Sequence, residues 1–176
     1  LSERQLVVRR RGVGTFAAAA GGHAKLVALT GYIEDLLSPN HLVVVREAIV
    51  RPPAELREHA QLADDARLHM FEGVNYVADD APLAHLRLYY PPGIGRKLSA
   101  QGLAGPLPPI KYVERQASVL VHHADQIMLP AIAAGTVARH LQVKAGTPVL
   151  RGLRVYYDGE GRPLEMFDAH YHPTHY

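Results

Sequence analysis

Two strand-like runs, Val149 to Tyr157 and Leu164 to Tyr171, flank the turn "DGEGRP". An Asp-Gly turn between such runs is a strong short-range signal for an antiparallel hairpin. Leu68 to Val77 and Leu83 to Tyr90 repeat the pattern around "ADDAP", and His41 to Arg51 is a further valine-rich strand. Between the strands lie short helical stretches. "RPPAELREHAQL" puts Pro53 at a helix start and an apolar stripe at Ala54, Leu56 and Ala60. Ile94 to Gln101 and Ile110 to Arg115 read as helices on either side of "GPLPP". Ser118 to Met128 reads as extended, and Pro130 to Leu141, alanine-rich with Pro130 in its first turn, is the clearest helix pattern. Strands and short helices that close on a hairpin predict an α+β fold, an antiparallel sheet with flanking helices.

The N-terminal part reads differently. Leu6-Val7-Val8-Arg9 and Thr15-Phe16-Ala17 predict a short hairpin around Gly12 and Gly14. "AAAAGG" has little to bury and reads as linker, and Thr30 to Leu37 as a short helix capped by Thr30. A nucleotide-binding glycine loop would follow a buried strand and open a helix, a context that "RRRGVGTFAAAA" does not offer. Arg9, Arg10 and Arg11 at a hairpin tip fit contact with the DNA backbone or minor groove, and fit a solvated turn equally well. A start at "LSERQLVV" reads as the middle of a longer protein.

Composition narrows the chemistry. Net charge is only +2, so no global basic field drives nucleic-acid binding and any such activity is local. The absence of cysteine excludes disulfides and thiolate metal sites. Apolar runs such as Phe16 to Ala20 and Leu42 to Val45 are too short to span a bilayer. His170 and His172 would share a strand face with Asp168, but Pro173 breaks the strand and no further carboxylate completes a shell, so no metal site is expected. The serines lie outside any Gly-x-Ser-x-Gly elbow. Glu165 with Asp168 and His170 lacks a nucleophile, and a lone carboxylate facing a sheet-lined cavity suits ligand hydrogen bonding. No catalytic residue and no cofactor are expected.

The pieces together resemble a known family. "LSERQLVVRRRGVGTFA" resembles the end of the winged helix-turn-helix domain of GntR-type bacterial transcription regulators, with its "G-x-GTF" wing. "TGYIEDLL", "VRPPAELREHAQL", "YVADDAPLAHLRLYYP", "LPAIAAGTVARHLQVKAGTPVL" and "RVYYDGEGRPLE" follow in the order of the UTRA effector domain. The resemblance is to the histidine-utilisation-repressor (HutC) subfamily, whose fold is similar to chorismate lyase. The resemblance implies a wing at 1–17, a linker at 18–29 and an effector domain at 30–176. It further implies a cytoplasmic homodimer that binds operator DNA and answers to a small molecule, with Arg9, Arg10, Arg11, Gly12, Gly14 and Thr15 at the DNA. The alternative is an enzyme of the chorismate-lyase type, which would have no use for an arginine-tipped hairpin.

Departures from the family pattern bear on the ligand. Members that sense phosphorylated sugars carry Arg-x-Arg before the "AD-x-x-P" turn, where this chain has Val74 and Tyr76. A glutamate four residues after that proline is Leu86 here, and an "S-F-T-E-D" helix start is replaced by Gly31-Tyr32-Ile33-Glu34-Asp35. Glu165 and Tyr171 match the ligand-contacting glutamate and tyrosine of the last strand. Losing two guanidiniums forfeits charge-assisted bonds of the strongest class. The implied pocket is Tyr32, Ile33, Val74, Tyr76, Leu86, Glu165 and Tyr171, with Arg87 at the rim, and it suits an unphosphorylated ligand.

Overall fold

A computed structural model describes residues 7–10, 14–17, 27–28, 40–77 and 80–176. Strands β1 (Val7–Arg10) and β2 (Gly14–Ala17) form a separate antiparallel hairpin, with Arg9 opposite Thr15 and Arg10 opposite Gly14. The remaining described residues are organised around one antiparallel sheet of seven strands, in the order β3 (Val27–Ala28), β7 (His123–Ile132), β8 (Pro148–Tyr157), β9 (Pro163–Tyr171), β6 (Pro82–Tyr90), β5 (Leu68–Val77) and β4 (Asn40–Val50).

The chain draws this sheet in two passes. β4 (Asn40–Val50), β5 (Leu68–Val77) and β6 (Pro82–Tyr90) run as a meander from one edge inward. The chain then crosses one face through the short helices α2 (Pro92–Gly95), α3 (Ala100–Leu103) and α4 (Pro109–Ala117). It returns as β7 (His123–Ile132), passes the helix α5 (Gly135–His140), and closes the sheet with the hairpin of β8 (Pro148–Tyr157) and β9 (Pro163–Tyr171). β9 lands beside β6, with Leu88 opposite Phe167 and Leu86 opposite Ala169. The closing hairpin is therefore the keystone of the sheet.

Alternation along each strand gives the sheet two buried faces. On one, Phe71, Leu88, Tyr90 and Phe167 pack with Ile94, Leu103, Ile110 and Val113 from the crossing helices. On the other, Met70, Tyr89, Val155 and Met166 pack with Leu56 and Ala60 at helix α1 (Ala54–His59). Each fully buried large apolar side chain contributes about 1.5–3 kcal/mol. Helix α4 shows the pattern in miniature: Ile110, Val113 and Ala117 recur at helical spacing on its buried side, and Ser118 ends it at φ 56°. Gly73 permits a close crossing, since a Cβ there would sit 2.5 Å from the carbonyl oxygen of Val43, next to the β4 bulge.

Two sequence expectations are corrected. Pro130 to Leu141 is not one helix: Pro130 to Ile132 continue β7 against Leu150 to Pro148, and only Gly135–His140 is helical. Ladder bonds outweigh helix propensity, which even for alanine, the best helix former, is readily overridden by tertiary context. Among the described residues β3 (Val27–Ala28) pairs with Gln126 and Asp125 and nothing pairs with Pro130 on that side, a position near a sheet edge that tolerates a residue without an N–H. Ile94 to Gln101 is likewise broken into α2 and α3, because the Ser99 hydroxyl accepts from the Gly102 N–H at 3.1 Å and so starts a new helix. β3 itself lies inside the span expected to be linker. The expected helix at Thr30 to Leu37 falls outside the described residues.

Candidate functional site

The face that carries the crossing helices holds a cavity of about 360 Å³. Its floor is the sheet: Ala84, Leu86 and Leu88 of β6, Arg154 and Tyr156 of β8, and Glu165, Phe167 and Tyr171 of β9. Its wall is the segment Gly105 to Ile110, whose three prolines, Pro106, Pro108 and Pro109, restrict the backbone and hold the rim in shape. Tyr176 stacks on Tyr171 with ring centroids 4.0 Å apart and lines the same cavity. Apolar walls with a few converging polar groups are the usual make-up of a small-molecule site.

Those polar groups have unusual environments. Glu165 is buried at 2% exposure, and its one hydrogen bond among the described residues comes from the Tyr90 hydroxyl at 3.0 Å. Burial pushes its carboxyl up to about 7, against the opposing pull of the Tyr90 hydrogen bond and the Arg154 charge. Burial and the neighbouring Glu165 raise Tyr90 well above the ordinary phenol range. Arg154 is buried at 8% exposure; its Nε donates to Gln126 Oε1 at 2.6 Å and its Nη1 to the Tyr156 hydroxyl at 2.7 Å. Its guanidinium carbon lies 4.7 Å from the centroid of Phe167.

The opposite face carries a polar cluster of another kind. Glu72 of β5 accepts from His85 Nε2 and Arg87 Nε, each at 3.0 Å, with Arg46 3.7 Å away. Burial pushes Glu72 up, but the Arg87 charge and the bonds from Arg87 and His85 prevail and hold it below the ordinary carboxylate range. Burial depresses His85 to about 4, so it is neutral near pH 7. Asp168 receives Arg151 through Nε at 2.7 Å and Nη2 at 2.8 Å.

This cavity-bearing sheet matches the UTRA domain family model over residues 41–176. The chain belongs to the UTRA domain family. It is 28% identical over 186 aligned residues to the HTH-type transcriptional regulator Rv0792c of Mycobacterium tuberculosis, covering 100% of this chain and 66% of that protein. The chain thus spans just under two thirds of that relative's length. The crystal structure of a candidate transcriptional regulator from Streptomyces coelicolor superposes with a TM-score of 0.70 at 25% identity, over 86% of this chain and 93% of the other. The ligand-binding domain of a candidate GntR-family regulator from Bordetella bronchiseptica gives a TM-score of 0.68 at 22% identity, over 86% and 91%.

Within this UTRA domain, Leu86, Glu165 and Tyr171 of the expected pocket line the cavity. Val74, Tyr76 and Arg87 do not. Asn75 lines the cavity, so alternation turns its neighbours Val74 and Tyr76 to the opposite face, where Tyr76 stacks on His41 at 5.5 Å. Arg87 joins the Glu72 cluster, again because Leu86 and Leu88 take the cavity side. Tyr32, Ile33, Arg11 and Gly12 fall outside the described residues, while Arg9, Arg10, Gly14 and Thr15 belong to the β1–β2 hairpin. Among the described residues no cluster of His, Asp or Glu has metal-binding geometry, and no helix is long and apolar enough to cross a membrane.

Sequence reasoning missed Arg154, Tyr156, Tyr90 and the proline wall. A signal for two of them was present. Counting back from the "DGEGRP" turn pairs Tyr156 with Glu165 and Arg154 with Phe167, which puts both on the face of the candidate glutamate.

Proposed function

We propose that this UTRA domain is the effector-binding part of a ligand-responsive bacterial transcription regulator of the GntR type, in the HutC subfamily. The observation that supports this most directly is the cavity, which holds a buried acid with a spare oxygen and a buried cation with a spare donor. The regulators among its relatives supply the biological setting. A small unphosphorylated ligand enters beside Glu165, Tyr171 and Leu86 and favours one arrangement of a homodimer. Operator affinity shifts by no more than the ligand's differential affinity for the two arrangements. The setting is cytoplasmic, where operator DNA lies.

DNA contact falls to the N-terminal hairpin in this reading. Arg9, Arg10 and Arg11 meet phosphates or the minor groove, Gly12, Gly14 and Thr15 shape the wing, and a preceding helix reads bases. The eleven-residue edge strand β4, with Val43, Val45 and Ile49 exposed, suits self-association of two copies.

Fluorescence anisotropy on operator DNA tests the function with the full-length regulator. Replacement of the three arginines by alanine is expected to weaken binding and flatten its salt dependence. Unaltered affinity and salt slope would remove the wing from the reading. Analytical ultracentrifugation should show a dimer of roughly twice the 19.3 kDa chain at micromolar concentration. A monomer at that concentration would remove the dimer.

A further inference from the structure

A charge taken out of water is costly unless a counter-charge or hydrogen bonds compensate it. The buried acids of the back face meet this condition: Glu72 has Arg87, and Asp168 has Arg151. Arg154 differs. It is buried at 8% exposure, yet no carboxylate lies within ion-pair distance of it among the described residues. Its two hydrogen bonds go to neutral partners, Gln126 and Tyr156, and Nη2 has no partner among the described residues. The side chain is fixed all the same. Gln126 and Tyr156 hold the fork from two sides, and Phe167 covers the guanidinium plane.

Tyr156 extends the arrangement. Its oxygen accepts from Nη1, which leaves its own proton free to be donated, and its side chain lines the cavity next to Arg154. Two donors, Arg154 Nη2 and the Tyr156 hydroxyl, are thus presented by one strand to one cavity. Such a pair is complementary to a planar two-oxygen acceptor. Phe167 beside the guanidinium and Tyr171 beyond it supply flat apolar surface for the body attached to that acceptor.

We propose that Arg154 and Tyr156 form an anion subsite of the effector cavity, and that the effector is a monocarboxylate on a flat, ring-containing body. This rests on the reading of the cavity as the effector site and deepens it. A single guanidinium, with two of its nitrogens already engaged, balances one negative charge. A phosphate monoester carries about −1.5 to −2 at neutral pH and would lie uncompensated beside Glu165. Arg154 and Glu165 are the charged residues among the described lining, and Glu165 sits diagonally across the β8–β9 ladder from Arg154. The same body can therefore offer an N–H or O–H to Glu165 while its carboxylate meets Arg154.

Isothermal calorimetry with matched acid and amide probes tests this: benzoate against benzamide, nicotinate against nicotinamide, and indole-3-acetate against indole-3-acetamide, with glucose 6-phosphate as the phosphate arm. At least one acid should bind ten times or more tighter than its amide. Arg154→Met should abolish that ratio, and Arg154→Lys, which keeps the charge but loses the fork, should reduce it. A panel in which no acid outbinds its amide overturns the proposal, as does glucose 6-phosphate binding tighter than every acid. Should Arg154→Met fail to fold, the wild-type ratio and Arg154→Lys still decide the matter. The underlying reading fails separately. An acid that binds through Arg154 without changing operator anisotropy of the full-length regulator leaves the subsite standing and removes the effector role. An amide that changes operator affinity does the reverse.

Discussion

Two glutamates, both nearly inaccessible to solvent on opposite faces of one sheet, have opposite chemistry. Glu72 is surrounded by Arg87, His85 and Arg46 and is held below the ordinary carboxylate range. Glu165 has the Tyr90 hydroxyl, and burial pushes it up to about 7. The acids of the back face are thus charge-paired within the fold, although the Nδ1 atoms of His85 and His170 are buried there without a hydrogen-bond partner, whereas the acid of the cavity face has no cation within ion-pair distance among the described residues. A buried group left short of partners is costly to stability. Its persistence beside a cavity is what a binding site requires, since the missing partner comes with the ligand.

The largest expected effect breaks the satisfied face. Glu72→Gln removes the counter-charge from Arg87 and should cost about 3 kcal/mol in urea unfolding. A loss below half of that would show that the cluster is not the back face's electrostatic anchor. The cavity face should respond in the opposite direction. Glu165→Gln keeps the shape and the Tyr90 contact but removes the ionisable proton. It should stabilise the domain by roughly 1–2 kcal/mol at pH 8 and change little at pH 4. Destabilisation at pH 8 would place Glu165 among the satisfied residues.

The pH dependence sharpens the contrast. Because the folded Glu165 carboxyl lies above its ordinary value, its contribution is present below the ordinary carboxylate range. That contribution is lost as pH rises through about 7. His85, depressed to about 4, contributes stability that is present above its ordinary value and lost as pH falls through about 4. The two slopes oppose each other between pH 4.5 and 6.5, roughly the interval between the ordinary values of Glu and His. Thermal unfolding of Glu165→Gln should therefore rise with pH across that interval more steeply than the wild type. Parallel curves would refute the opposition. The smallest effect concerns Gly152, where an added Cβ would lie 3.1 Å from Met128 Sδ and from a ring carbon of Tyr171. Gly152→Ala should cost about 1 kcal/mol, since methionine is compliant, and should alter ligand affinity through Tyr171 more than it alters stability. Calorimetry on the tightest probe, paired with urea unfolding, measures both.

Much of the fold was legible because it is local. The Asp-Gly turn at Asp158 and Gly159 implies the β8–β9 hairpin, and the alternation in Leu68 to Val77 implies a strand, whatever surrounds them. Pro130 to Leu141 was misread because alanine content is a weak local preference, which the ladder to β8 outweighs once the sheet forms. The same limit applies to the site. Glu165 and Tyr171 were found through a family resemblance and face the cavity. Val74 and Tyr76 were assigned by matching the family pattern and Arg87 was added at the rim, and the side of the sheet that each occupies depends on register.

By itself, then, the sequence determined the antiparallel α+β architecture, the closing hairpin and a glutamate worth examining. Turn chemistry and strand alternation act within a few residues, so they survive without a partner strand. Tertiary structure decided which face each side chain serves, because a register shift of one residue exchanges the two faces. It alone brought Tyr90 against Glu165, 75 residues away along the chain, and Gln126 against Arg154, 28 residues away. The same packing left Arg154 without a carboxylate partner among the described residues, a property of the assembled sheet that no segment carries alone.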